Sequence, residues 1–144
     1  MDSSAHCVWQ GDLSNGSGVT TLDSRAVAPF QVSWPSRAEA SNGHTSPEEL
    51  IAAAHASCFN MALSSTLAGG DTPPNQLETS AVATFGKTAD GFSLTTMKLT
   101  VIGDVPGISA DQFSEAAAAA KDGCPVSNAL KGNVEITVDA TLTA

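Results

Sequence analysis

The sequence has no tyrosine, and aromatic residues make up only 5% of its 144 positions. Basic side chains are equally scarce: 6 Lys and Arg stand against 15 Asp and Glu, for a formal net charge of −9. That balance repels a phosphate backbone or an anionic lipid surface, so neither nucleic acid nor membrane is an expected partner. No stretch reaches the roughly 18 uninterrupted apolar residues of a membrane span. The best candidate, Leu50 to Leu63, is broken by His55, Ser57 and Asn60. No N-terminal segment joins a basic region to an apolar run, so no signal peptide is expected. Disorder is excluded from the other side, because 42% of the residues are hydrophobic. Cysteine numbers only 3, an odd count without an export signal. Reduced thiols in a cytoplasmic setting are therefore expected, where a disulfide is more often catalytic than structural. The length suits one domain over 1–144 with an ordinary core.

What is present divides into short elements at clear turn signals. His6–Gln10, Gly18–Leu22 and Phe30–Trp34 read as strands, with Asn15-Gly16 as a hairpin turn. Residues 36–45 are polar and read as a loop that carries Arg37, which with Arg25 makes up all the arginine in the chain. Ser46 then suits an N-cap, Pro47 the first helical position, and Glu49 the far end of a capping box. This helix runs to about Leu67 and stops at Gly69-Gly70. Leu77–Thr88 and Phe92–Val101 form a hairpin about Asp90-Gly91, and Gly103–Gly107 is a turn. Ser109 with Gln112 opens a second helix, which passes through Ala116–Ala120 to Asp122 and stops at Gly123. Pro125 starts a short third helix with Cys124 at its N-cap, and Val134–Leu142 is the last strand. The order of strands, helix, hairpin, helices and strand predicts an α+β fold with antiparallel sheet.

Two cysteines carry the chemical interest. Cys58 lies about three turns inside its helix, beyond the reach of the helix dipole. Burial alone would raise its pKa, so a reactive Cys58 needs a nearby cation. Arg37, just before the helix, is the cheapest supplier, and Arg25 is the alternative. A lone cysteine on an alanine-rich helix is otherwise ordinary core filler. Cys124 stands at a helix start, where a thiolate is favoured, and a thiol within disulfide reach would condense with a Cys58 sulfenic acid. Cys7, on an edge strand, has no assigned role. His55 shares a helix face with Cys58. With Cys124 the two would give only three metal ligands in a spread arrangement, so no metal and no bound cofactor are expected. His55 reads better as a packed or partly exposed helix residue. Glu48 is either a solvated acid in the first turn or the partner that orients Arg37. Ten residues separate it from Cys58, roughly 15 Å along a straight helix. One arginine cannot serve both unless the helix breaks or the groups come from different subunits.

Ser46-Pro47-Glu48-Glu49-Leu50 followed by Ala53-Ala54-His55-Ala56-Ser57-Cys58-Phe59 resembles the first motif of the OsmC/Ohr family, the osmotically inducible and organic hydroperoxide resistance proteins. Cys124-Pro125-Val126-Ser127-Asn128-Ala129 resembles its second. His55 and Val126 are more similar to the OsmC branch. The resemblance implies a thiol-dependent peroxidase that reduces organic hydroperoxides to alcohols. It implies Cys58 as the peroxidatic and Cys124 as the resolving cysteine, joined in a Cys58–Cys124 disulfide, with Arg37 and Glu48 as the activating pair. It further implies an intertwined homodimer with antiparallel sheets around central helices, and an external dithiol or lipoyl-type reductant. Apolar residues near the motifs, Leu50, Ile51, Phe59 and Met61, are candidates to line a substrate pocket. The competing class is a redox-sensing or small-ligand-binding stress protein without turnover.

Overall fold

The computed structural model describes all 144 residues, which divide into two compact units, residues 1–50 and 51–144. In the first, β1 (Ala5–Gln10), β2 (Ser17–Leu22) and β3 (Phe30–Val32) form an antiparallel sheet in that order. The β1–β2 turn is pinned by Asp12, whose carboxylate accepts the N–H groups of Ser14 and Asn15 at 2.9 Å. The expected strand to Trp34 stops early, and α1 (Trp34–Ala38) occupies the start of what reads as a loop. Ser33 and Ser36 cap each other reciprocally, and Pro35 fixes a helical φ in the first turn, which outweighs the β preference of Trp34. The chain then returns to β3, where the Thr45 N–H donates to the Gln31 carbonyl at 3.1 Å. This unit contributes nothing to the buried hydrophobic core; Val8, Trp9 and Val19 are all exposed.

The helix α2 (Pro47–Gly69) runs unbroken for 23 residues. Only half of its expected capping box forms. Ser46 accepts the Glu49 N–H at 3.1 Å, while the Glu49 carboxylate takes the Thr45 hydroxyl at 2.6 Å. Ala52, His55, Phe59, Leu63 and Leu67 are buried at the three- and four-residue spacing of one helical face. The opposite face, with Ala54, Met61 and Ala68, is exposed. By length and composition alone α2 could cross a membrane, although less than a quarter of it is buried in the chain. A fully buried histidine on its packed face, however, marks it as part of a protein core.

In the second unit, β4 (Gln76–Thr88), β5 (Gly91–Asp104) and β6 (Glu135–Leu142) form a second sheet in that order. The β4–β5 hairpin is antiparallel and carries an irregularity at Thr84/Phe85. β6 pairs with β5 in parallel, against the expectation of a purely antiparallel sheet. The reason lies in the connection: α3 (Ala110–Gly123) and α4 (Pro125–Leu130) form a crossover that returns the chain to the starting end of β5. The α+β class stands. Ser109 and Gln112 form the expected capping box, and α3 buries Phe113, Ala117 and Ala120 against the sheet.

Gly103 makes that packing possible. A Cβ there would stand 2.4 Å from Cζ of Phe113, whose ring is fully buried. Gly103→Ala is expected to destabilise the fold by about 1–3 kcal/mol through overpacking, read as a lower denaturant midpoint at unchanged slope.

Candidate active site

The charged pair sits in the first unit. Arg37 lies in the last turn of α1 and Glu48 in the first turn of α2. The Arg37 Nε donates to both carboxylate oxygens at 3.0 and 3.2 Å, and its Nη2 to Oε1 at 2.7 Å. Glu48 is only 7% exposed, so this fork offsets the cost of burying its charge. Arg25, the alternative cation, is exposed in the turn after β2, and Glu48 takes Arg37 instead. Beside Arg37, the side chains of Trp9, Leu13, Val32, Trp34 and Pro47 line an apolar recess of about 100 Å³.

The two thiols sit in the second unit. Cys58 projects from α2 and is half-buried, while Cys124 is fully buried at the junction of α3 and α4. They adjoin closely enough that each shifts the other's ionisation. Burial pushes the Cys58 thiol up, the Val126 N–H pulls it down, and its contact with Cys124 pushes it up again; the net direction is up. Burial also pushes Cys124 up, but the Ser127 N–H, Cys58, the Ser127 hydroxyl and the Val126 N–H outweigh it, and the net direction is down. Cys124 makes no capping hydrogen bond with its side chain. Within one chain, then, Cys124 is the more acidic of the two. No cation is among the groups that shift the Cys58 thiol.

His55 is fully buried, its Nε2 2.7 Å from the Ser127 hydroxyl, and burial pushes its pKa down. Of the residues expected to line a pocket, Phe59 is instead fully buried in the core, and Met61 lies 73% exposed on the open face of α2. The recess is lined by Trp9 and Trp34, which carry no site signal in the sequence. Cys7 is exposed on the edge strand β1, over Gly18. Ser127, whose hydroxyl meets His55, is the third residue of the helix that follows Cys124.

A half-buried thiol on one helix against a buried thiol between two others, on an α+β frame of two small sheets, defines a dithiol protein. The chain belongs to the OsmC family: the family model described as OsmC-like protein matches residues 40–139. It is 40% identical over 134 residues to Peroxiredoxin OsmC of Escherichia coli (strain K12), covering 93% of this chain and 92% of that protein. It is also 30% identical over 95 residues to the Organic hydroperoxide resistance protein of Xanthomonas axonopodis pv. citri (strain 306), covering 65% of each. Among solved structures, the organic hydroperoxide resistance protein OhrB of Bacillus subtilis superposes with a TM-score of 0.76 at 26% identity, over 96% of this chain and 98% of that one. The resemblance carried by the two motifs is thus a true kinship, and the α+β class is that of the family's solved structures.

Proposed function

We propose that the protein is a cysteine-based peroxidase that reduces organic hydroperoxides to alcohols. The observation that carries this reading is the adjacency of Cys58 and Cys124. The Cys58 thiolate attacks the outer peroxide oxygen, the O–O bond breaks, and the alkoxide leaves as alcohol after taking a proton. Cys58 becomes a sulfenic acid, which condenses with the Cys124 thiol to give the Cys58–Cys124 disulfide and one water. An external dithiol of lipoyl type then reduces the disulfide by exchange, so no bound cofactor is needed. A reducing, cytoplasmic setting suits that cycle.

Arg37 supplies the missing cation in this reading, and Glu48 holds its guanidinium in place. An unbroken α2 keeps Glu48 and Cys58 roughly 15 Å apart along the helix. The site is therefore composite: Arg37 and Glu48 come from one subunit, Cys58 and Cys124 from the other, of a homodimer. Two further observations support a partner. A three-stranded sheet with no buried hydrophobic residue lacks a core of its own. The exposed Ala54–Met61–Ala68 face of α2 lacks a cover. Residues 1–144 then act as one functional domain, completed in the dimer.

The recess beside Arg37 would take the apolar tail of the substrate. Each buried CH2 contributes up to about 0.8 kcal/mol, and about 1.4 kcal/mol is a factor of ten. Steady-state consumption with a dithiol reductant is expected to favour cumene hydroperoxide over hydrogen peroxide by about tenfold or more. A single oxidation without turnover would leave a sensor or ligand-binding protein. Equal efficiency with the two peroxides would remove the role assigned to the recess.

A further inference from the structure

His55 is a buried ionisable group that the peroxidase chemistry above leaves unused. It stands on the packed face of α2 among Ala52, Phe59, Leu63 and Leu67, all of them apolar. Burying an imidazole is unfavourable unless hydrogen bonds offset it, so packing alone would be better served by leucine. The ring makes one hydrogen bond: its Nε2 meets the Ser127 Oγ at 2.7 Å, while its Nδ1 is buried with no partner. Ser127 is itself only 5% exposed, and 72 residues separate the two in sequence. No other hydrogen bond joins α2 to α3 or α4.

Helical spacing gives this bond its meaning. His55 lies three residues before Cys58 on α2, and Ser127 three residues after Cys124, in α4. Residues three apart on a helix are surface neighbours. The Asn128 N–H donates to the Cys124 carbonyl at 3.0 Å, so the turn from Cys124 to Ser127 is helical. A bond between His55 and Ser127 therefore draws together the two segments that carry the thiols. Cys124 is fully buried, and Cys58 packs against the same buried cluster. Apolar contact is non-directional and lets one helix slide on another. A disulfide tolerates little sliding, since its Cα atoms must lie about 4.4–6.8 Å apart. A hydrogen bond is directional and weakens steeply as it is bent. We infer that His55 and Ser127 are positioning residues whose hydrogen bond holds α2 in register against α4, and so keeps Cys58 and Cys124 at disulfide distance.

This deepens the peroxidase reading and rests on it for the identity of the two reacting thiols. Its consequence falls on disulfide closure. The Cys124 thiolate attacks the Cys58 sulfenic sulfur, the S–S bond forms, and the S–O bond breaks. Hydroxide leaves and takes up a proton equivalent to the one Cys124 lost, so one water is released. No proton passes through His55. The same register governs the bare dithiol couple. There, closure gives up two electrons and two protons, which an oxidised dithiol takes up as its own S–S bond opens. That exchange needs no hydroperoxide.

The test uses the full chain with Cys7→Ser, equilibrated with mixtures of reduced and oxidised dithiothreitol, the Cys58–Cys124 disulfide being counted by peptide mass mapping. Ser127→Ala is expected to lower the equilibrium constant for this disulfide, and the rate of its closure, by roughly tenfold. The equilibrium separates positioning from packing, because a variant that is merely less stable in both redox states keeps its equilibrium. His55→Leu should match Ser127→Ala, and so should the double variant. His55→Gln, whose amide can donate or accept, should recover most of both effects. Ser127→Ala and His55→Gln keep a small and a polar group in place, so they decide the matter even if His55→Leu fails to fold. An unmoved equilibrium and closure rate in Ser127→Ala, or full additivity of the two single effects, overturns the inference. A parent chain that forms no Cys58–Cys124 disulfide overturns both the inference and the peroxidase reading. A displaced equilibrium in Ser127→Ala, beside a parent that consumes no hydroperoxide, keeps the inference and removes the peroxidase reading alone.

Discussion

Cys58→Ser is expected to lower hydroperoxide turnover by about a thousandfold or more. The nucleophile in this chemistry is a thiolate, and a serine hydroxyl is not ionised at neutral pH. The substitution exchanges sulfur for oxygen at a half-buried helix position, so the fold should survive it. Cys124 is buried beside Cys58, and its neighbours hold its thiol below the ordinary value, which makes it the obvious rival. The variant separates the two: turnover within tenfold of the parent in Cys58→Ser would transfer the nucleophile's role to Cys124.

Arg37→Ala is expected to reduce turnover at neutral pH by roughly ten- to a thousandfold, because an opposite charge within about 4–6 Å moves a pKa by 1–3 units. The sign follows from the role. Burial holds the Cys58 thiol above its ordinary value, and in the proposed composite site Arg37 would bring it down. Activity should rise with pH as Cys58 ionises and then level off. In Arg37→Ala that rise should move to higher pH, with activity recovering in alkali, and pH-dependent alkylation of Cys58 should show the same displacement. Glu48→Gln keeps the shape of the Arg37 partner while removing its charge. It should leave the guanidinium less firmly held and give a smaller loss. The subunit assignment is tested by refolding Cys58→Ser and Arg37→Ala chains together. Heterodimers should regain one working site of the two, with Cys58 from one chain and Arg37 from the other. Verified heterodimers that stay inactive would rule out the composite site, as would an unchanged alkylation profile in Arg37→Ala.

Much of the fold was legible because its punctuation is local. Ser109 with Gln112, Asp90-Gly91, Gly69-Gly70 and Gly123 each bound an element where the structure has it. The direction of β6 was not legible, since an alternating strand reads the same whether it pairs in parallel or antiparallel. Only the α3–α4 crossover decides it. α1 was hidden behind the β preference of Trp34, although Ser33 and Ser36 carried a capping signal. The burial of His55 was legible in its spacing. Its spacing with Ala52, Phe59 and Leu63 is that of a core face, and the structure buries all four. The recess at Arg37 could not be foreseen, because Trp9 and Trp34 meet there only after β1, β2 and β3 have paired. The Arg37–Glu48 pair was suggested by residue type and kinship, but its forked geometry depends on α1, an element the sequence reading placed in a loop.

The proposed chemistry requires the two thiols to act as one redox couple. The most direct measurement is peptide mass mapping of the full protein after one equivalent of cumene hydroperoxide. It should yield a Cys58–Cys124 disulfide in near-stoichiometric amount, formed as the alcohol appears, with Cys7 still free and the couple restored by a dithiol. Oxidised protein that carries only Cys7-linked or intermolecular disulfides, or a lasting Cys58 sulfenic acid with Cys124 unreacted, would contradict it.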